Sequence, residues 1–119
     1  MSVLIVEDEA VAARSLRKLL ADLAPDLEIE ASLGSVAACL DRLGRPDQPE
    51  LILMDVQLVD GTCFEIFEIL PLTTPVIFTT AYDEFALRAF EVFGVDYLLK
   101  PIRPEKLAMA LTKWRALKQ

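Results

Sequence analysis

Histidine is missing from the 119 residues, which excludes imidazole-built zinc sites, Ser-His-Asp catalysis and a phosphohistidine relay through this chain. Cysteine occurs only twice, and the spacing of Cys39 and Cys63 suits neither a metal site nor a redox pair. Both fall within predicted helices and are expected to be reduced, packed thiols. No apolar stretch approaches the ~20 residues of a membrane span, and the start lacks the basic-then-apolar order of a signal peptide, so the expected compartment is the cytoplasm with no membrane partner. Positive charge is scarce: 12 Lys and Arg stand against 19 Asp and Glu, a net charge of -7. Such a surface repels a phosphate backbone, and any DNA contact is expected to need a separate domain. Where a dinucleotide-binding fold has a glycine-rich turn after its first strand, this chain has Glu7-Asp8-Glu9. The chemistry that remains belongs to carboxylates, Lys, Thr and a metal.

What is abundant is apolar surface, at 54% of residues, enough for one domain over residues 1–119 with a single sizeable core. The chain is organised around Leu51-Ile52-Leu53-Met54-Asp55, an apolar run without alternation that ends in a carboxylate. That pattern predicts a strand covered on both faces, with Asp55 at its carboxyl end. Residues 2–6 form a similar strand and run into Glu7-Asp8-Glu9. A helix is expected from Glu9 to about Leu23, with Ala12, Leu16, Leu19, Leu20 and Leu23 on its apolar stripe and Pro25 behind it. Residues 28–33 alternate like an edge strand, and Ser35 caps a helix to about Leu43. Asp60-Gly61 read as a turn and Cys63 to Leu70 as a short helix stopped by Pro71. A fourth strand covers 75–79 and ends in Thr80-Ala81; a helix from Asp83 is terminated by Gly94. The fifth strand is 95–99, and Lys100-Pro101 leave it. Pro104 opens a last helix whose stripe is Leu107, Ala110, Leu111, Trp114 and Leu117, with the Trp as a core anchor.

Five strands alternating with five helices predict an α/β fold, a doubly wound parallel sheet with helices on both faces. Glu7 and Asp8, Asp55, Thr80 and Lys100 then all leave strands at one edge, where ligands of open α/β sheets collect. A lone Asp after a strand is ordinarily a turn or cap residue, so it is the company of the others that singles out Asp55. Three neighbouring carboxylates repel one another unless a cation sits among them, and Mg²⁺ suits one or two carboxylates with open positions for phosphate oxygens. Lys100 and Thr80 add a point charge and a hydroxyl for phosphoryl oxygens. A purely structural ion-pair cluster is the competing reading.

With Glu7-Asp8, Asp55, Thr80-Ala81 and Tyr97-Leu98-Leu99-Lys100-Pro101 in this order, one after each strand, the chain resembles a response-regulator receiver domain along essentially its whole length. The stretch from Phe78 to Phe90, Phe-Thr-Thr-Ala-Tyr-Asp-Glu-Phe-Ala-Leu-Arg-Ala-Phe, followed by Val95 to Pro101, resembles receivers of the LytR/AlgR family. That resemblance implies the flavodoxin-like strand order 2-1-3-4-5 and a C-terminal LytTR DNA-binding output domain in transcription regulation. It implies that Asp55 accepts a phosphoryl group from a sensor histidine kinase, with Mg²⁺ placed by Glu7, Asp8, Asp55 and the Gln57 carbonyl. Thr80 and Lys100 would bind phosphoryl oxygens, Thr80 and Tyr97 would form the switch, and Gln57 and Tyr82 would tune dephosphorylation. The Lys100-Pro101 bond is expected to be cis. Phosphorylation is expected to favour a homodimer through the fourth helix, fifth strand and fifth helix. One departure is a short loop, with only Val56-Gln57-Leu58-Val59 between the acceptor and Asp60-Gly61.

On this reading the domain is not an enzyme beyond its own phosphotransfer and dephosphorylation. A haloacid dehalogenase-type phosphatase also uses a strand-end Asp and Mg²⁺, but it wants a second Asp where this chain has Gln57. A receiver-like binding module that has lost phosphorylation is disfavoured because every reactive position is filled.

Overall fold

The computed structural model describes residues 1–81 and 94–118. Its elements in chain order are β1 (Ser2–Val6), α1 (Ala10–Leu23), β2 (Glu28–Ile29), α2 (Val36–Leu43), β3 (Leu51–Asp55), β4 (Gln57–Leu58), β5 (Gly61–Thr62), α3 (Phe64–Ile69), β6 (Val76–Thr80), β7 (Gly94–Leu99) and α4 (Pro104–Leu117). The main sheet has the order β2-β1-β3-β6-β7 and every pairing in it is parallel. Setting aside the small hairpin β4–β5, that is the expected 2-1-3-4-5. The fourth helix of the sequence reading, with Asp83, Glu84 and Arg88, lies outside the described residues, as does Tyr82. Among the described residues no helix is long and apolar enough to cross a membrane.

The absence of alternation in the central strands has a direct cause. Leu4, Val6, Ile52, Met54, Val76 and Phe78 point to one face, where they pack with Val36, Cys39 and Leu43 of α2 and Phe64 and Ile66 of α3. Val3, Ile5, Leu51, Leu53, Ile77 and Val95 point to the other, against Leu16 and Leu20 of α1 and Leu107, Ala110, Leu111 and Trp114 of α4. Each face is therefore covered, and both sets of side chains must be apolar. Trp114 is fully buried, as a core anchor should be.

Several local expectations are corrected. The edge strand is only Glu28–Ile29, with an isolated bridge between Val6 and Leu33. Between them Arg17 donates to the Glu30 carbonyl at 2.8 Å and to the Ser32 hydroxyl at 3.2 Å. Leu23 and Leu117, placed on apolar stripes by their spacing, are exposed because they sit at the last residues of α1 and α4, beyond the sheet they would cover. Cys63 precedes α3 as its N-cap instead of lying within it; both cysteines are free and buried, as expected. Burial pushes the Cys39 thiol up to about 12, with Asp60 adding to the effect. Thr80 is the last residue of β6, and Gly94 opens β7.

Candidate functional site

The register of the sheet builds the site. β1 pairs with β3 through Val6 and Met54, so the residues that follow, Glu7 and Asp55, emerge side by side. β3 pairs with β6 through Asp55 and Thr79, and β6 with β7 through Thr80 and Leu99. Lys100 continues from there, its backbone N–H donating to the Thr80 carbonyl at 2.8 Å. The Lys100-Pro101 peptide bond is cis.

Lys100 reaches across the sheet edge to two buried acids. Its Nζ donates to Glu7 Oε1 at 2.6 Å and to Asp55 Oδ2 at 2.9 Å. Their side chains are only 3% and 8% exposed, while that of Lys100 is 23% exposed. Burial alone would push the Lys100 ammonium down, but the hydrogen bonds and negative charges of Glu7 and Asp55 outweigh it and hold the ammonium above its usual value. The remaining oxygens are also engaged: Glu7 Oε2 accepts from the Glu9 N–H at 3.1 Å, and Asp55 Oδ1 from the Gln57 N–H at 3.2 Å. Asp8 is exposed, and its carboxylate takes no hydrogen bond among the described residues. Thr80 is buried beside this group, and Tyr97 is half-buried in β7.

Glu7, Asp8 and Asp55 can each present one carboxylate oxygen within 4.8 Å of the others. Among the described residues three carboxylates stand against one ammonium, which leaves two negative charges uncompensated, and an all-oxygen donor set fits a hard divalent cation. The residues present therefore suit Mg²⁺. Gln57 lies next to them, its peptide N–H on Asp55.

The loop after Asp55 is a tight hairpin in which Gln57 pairs with Thr62 and Leu58 with Gly61. Gly61 has φ +151°, and a Cβ there would overlap the Glu65 carboxylate, which accepts from the Thr62 N–H at 2.8 Å. Asp60 does more than turn the chain. Its Oδ1 accepts from the Val36 N–H at 2.6 Å and its Oδ2 from the Ala37 N–H at 3.1 Å, so it caps α2 from 24 residues away. Those bonds, the one from Val36 foremost, hold the Asp60 carboxyl below its usual range. Sequence reasoning found Asp60-Gly61 as a turn, but nothing local announces a cap offered to a distant helix.

A five-stranded parallel sheet with an acidic group and a lysine gathered at its carboxyl edge defines a class of open α/β domains whose ligands bind at that edge. The family model described as response regulator receiver domain matches residues 3–112, and the chain belongs to that family. It is similar to the sensory transduction protein LytT of Bacillus anthracis, 38% identical over 122 residues and covering 100% of this chain and 49% of the relative. It is also similar to the positive alginate biosynthesis regulatory protein of Pseudomonas aeruginosa, 41% identical over 119 residues and covering 95% of this chain and 46% of the relative. The chain thus spans about half the length of these curated relatives. Among solved structures, the response regulatory domain of mrkE from Klebsiella pneumoniae is similar with a TM-score of 0.86 at 28% identity, covering 98% of this chain and 97% of that one.

Proposed function

We propose that this receiver domain is phosphorylated on Asp55 by a sensor histidine kinase in the cytoplasm and passes the change to an output domain. The observation that carries this reading is the enclosure of a nearly buried strand-end carboxylate by an acidic pair and a lysine. An Asp55 oxygen attacks the phosphorus of the kinase's phosphohistidine; the phosphorus–nitrogen bond breaks, the imidazole leaves with the electron pair, and an acyl phosphate forms. Glu7, Asp8, Asp55 and the Gln57 carbonyl are the residues that would hold Mg²⁺, which when bound neutralises charge on the phosphoryl oxygens. Lys100 leaves part of its pairing with Asp55 to follow a phosphoryl oxygen, and the Thr80 hydroxyl donates to another. Tyr97, in the strand beside Thr80, turns inward as Thr80 is drawn toward the acceptor. Gln57 and Tyr82 tune the attack of water that returns Asp55 to its carboxylate.

The relatives support a LytTR-type DNA-binding output domain separate from this chain and a role in transcription regulation. Homodimerisation on phosphorylation is proposed through β7 and α4, the fifth strand and fifth helix of the sequence reading, together with its fourth helix, which lies outside the described residues. Mass spectrometry after treatment with a small phosphodonor and Mg²⁺ tests the core of this reading. One phosphoryl group is expected on wild type and none on Asp55→Asn. Equal labelling of the variant would place the acceptor elsewhere.

A further inference from the structure

The two loops that bring acids to the site are joined by a third segment. Residues 33–37 leave the sheet edge beside β1 and enter α2. At one end the Leu33 carbonyl accepts from the Glu7 N–H at 2.7 Å, and the Leu33 N–H donates to the Ile5 carbonyl at 2.9 Å. Next to it Gly34 lies so close that a Cβ would come within 3.2 Å of the Asp8 Cα and 3.6 Å of the Asp8 Cβ. At the other end the Val36 and Ala37 N–H groups are held by Asp60, and the Ala38 N–H is held by Ser35 Oγ at 3.0 Å. Asp60 in turn belongs to the hairpin whose first residue, Gln57, bonds to Asp55.

A continuous path therefore runs from Glu7 and Asp8, through Leu33, Gly34, Val36 and Ala37, to Asp60 and back to Asp55. Its weakest point is Asp60. The Glu7–Leu33 link is a strand bond and the Gly34–Asp8 link a close packing contact, whereas the tip of the hairpin is hydrogen-bonded to the start of α2 through this side chain. Two backbone N–H donors at a helix start meet an ionised carboxylate there, a strong contact for its size because the helix dipole adds to both bonds. A two-residue hairpin has little other packing to hold its tip, and Val59 beside Asp60 is 76% exposed.

We propose that Asp60 is a positioning residue for the site. By tying the hairpin after Asp55 to the segment packed on Asp8, it fixes how the two acid-bearing loops lie against each other beyond the strand ends that the sheet register places. For cation and phosphoryl binding this deepens, and rests on, the receiver reading above; the mechanical coupling of the loops does not depend on it. Asp60 touches no reacting atom. Its carboxylate acts through the Gln57 peptide on one side and the Gly34–Asp8 contact on the other.

The discriminating comparison is Asp60→Ala against Ser35→Ala. Both remove a cap from the start of α2, so both lower the thermal midpoint, but only the first cuts the hairpin loose. Mg²⁺ titration by calorimetry should show affinity about tenfold weaker in Asp60→Ala, the lower end of what loss of an orienting outer group costs a metal site, and unchanged in Ser35→Ala. Asp60→Asn, which keeps one acceptor for the Val36 N–H, should recover part of the loss. Amide exchange supplies a readout that needs no metal: in Asp60→Ala protection should fall at Gln57 and also at Glu7, on the far side of the segment. Exchange confined to the hairpin and the first turn of α2, with Mg²⁺ affinity equal to that of Ser35→Ala, would overturn the proposal. If wild type neither binds Mg²⁺ nor takes a phosphoryl group, the receiver reading fails by itself, and exchange at Glu7 still decides whether Asp60 couples the loops.

Discussion

Replacing Lys100 by Met keeps the length of the side chain and removes the one cation that, among the described residues, pairs with both Glu7 and Asp55. Each N–O distance is under 3 Å, at 2.6 and 2.9 Å, and both acids are almost wholly buried. Breaking a buried pair from one side costs about 3–5 kcal/mol, because the charge left behind has no partner. The Lys100 side chain is 23% exposed and the exposed Asp8 marks where water and ions enter, so screening reduces the figure to about 2–3 kcal/mol. For a domain of this length each kcal/mol is about 4 °C, which predicts a thermal midpoint about 8–12 °C lower in chelator at neutral pH. Saturating Mg²⁺ should return most of it, since a ligand at one hundred times its Kd adds about 2.7 kcal/mol, and the Mg²⁺-induced rise should be larger in the variant than in wild type. The pH dependence has a definite sign. The Lys100 ammonium is held above its unfolded value of 10.5, so its stabilisation is complete below that pH and is lost as pH rises through the folded value. The gap between the proteins should therefore persist from neutral pH to 10.5 and then close. The control is Lys106→Met, an exposed lysine with no ion pair among the described residues, expected within about 0.5 kcal/mol of wild type. Differential scanning calorimetry reads all of this. A Lys100→Met protein that melts within about 2 °C of wild type in chelator, or gains no more from Mg²⁺, would refute the account of the site's charge balance.

Glu30 is gripped by Arg42 through two parallel bonds of 2.8 and 2.9 Å, and that hydrogen bonding holds its carboxyl below its ordinary value of 4.5. Its stabilisation is present above 4.5 and lost as pH falls through the lower folded value, so Glu30→Gln should weaken the domain at neutral pH and converge with wild type in acid denaturation below 4.5. A constant offset down to the lowest pH would refute that. For the dimer, sedimentation with a beryllofluoride phosphoryl mimic should show mass doubling that Met109→Glu abolishes, since Met109 is 64% exposed on α4 at the face concerned. A mimic-bound domain that stays monomeric at tens of micromolar, on the order of a weak interface, would move dimerisation to another part of the protein.

Much of the architecture follows from the local patterning of apolar residues. A run such as Leu51 to Met54, apolar at every position, is stable only where both faces are covered, and helical stripes such as Leu16 and Leu20 or Leu107, Ala110 and Leu111 supply the covers. Parallel strands joined by helices put their carboxyl ends on one edge, so Glu7, Asp8, Asp55, Thr80 and Lys100 could be placed together before any coordinate was known. Where each stripe ends could not be read this way: Leu23 and Leu117 keep helical spacing, but the sheet stops before them. Nor could the pairings within the site. Lys100 finds Glu7 across 93 residues and Asp55 across 45, and Asp60 finds α2 across 24. Residue spacing decides which side chains share an edge or a face, because it is set by the period of the backbone. Which of them bond depends on the register between strands and the lie of the loops, and those are settled only when the whole chain packs.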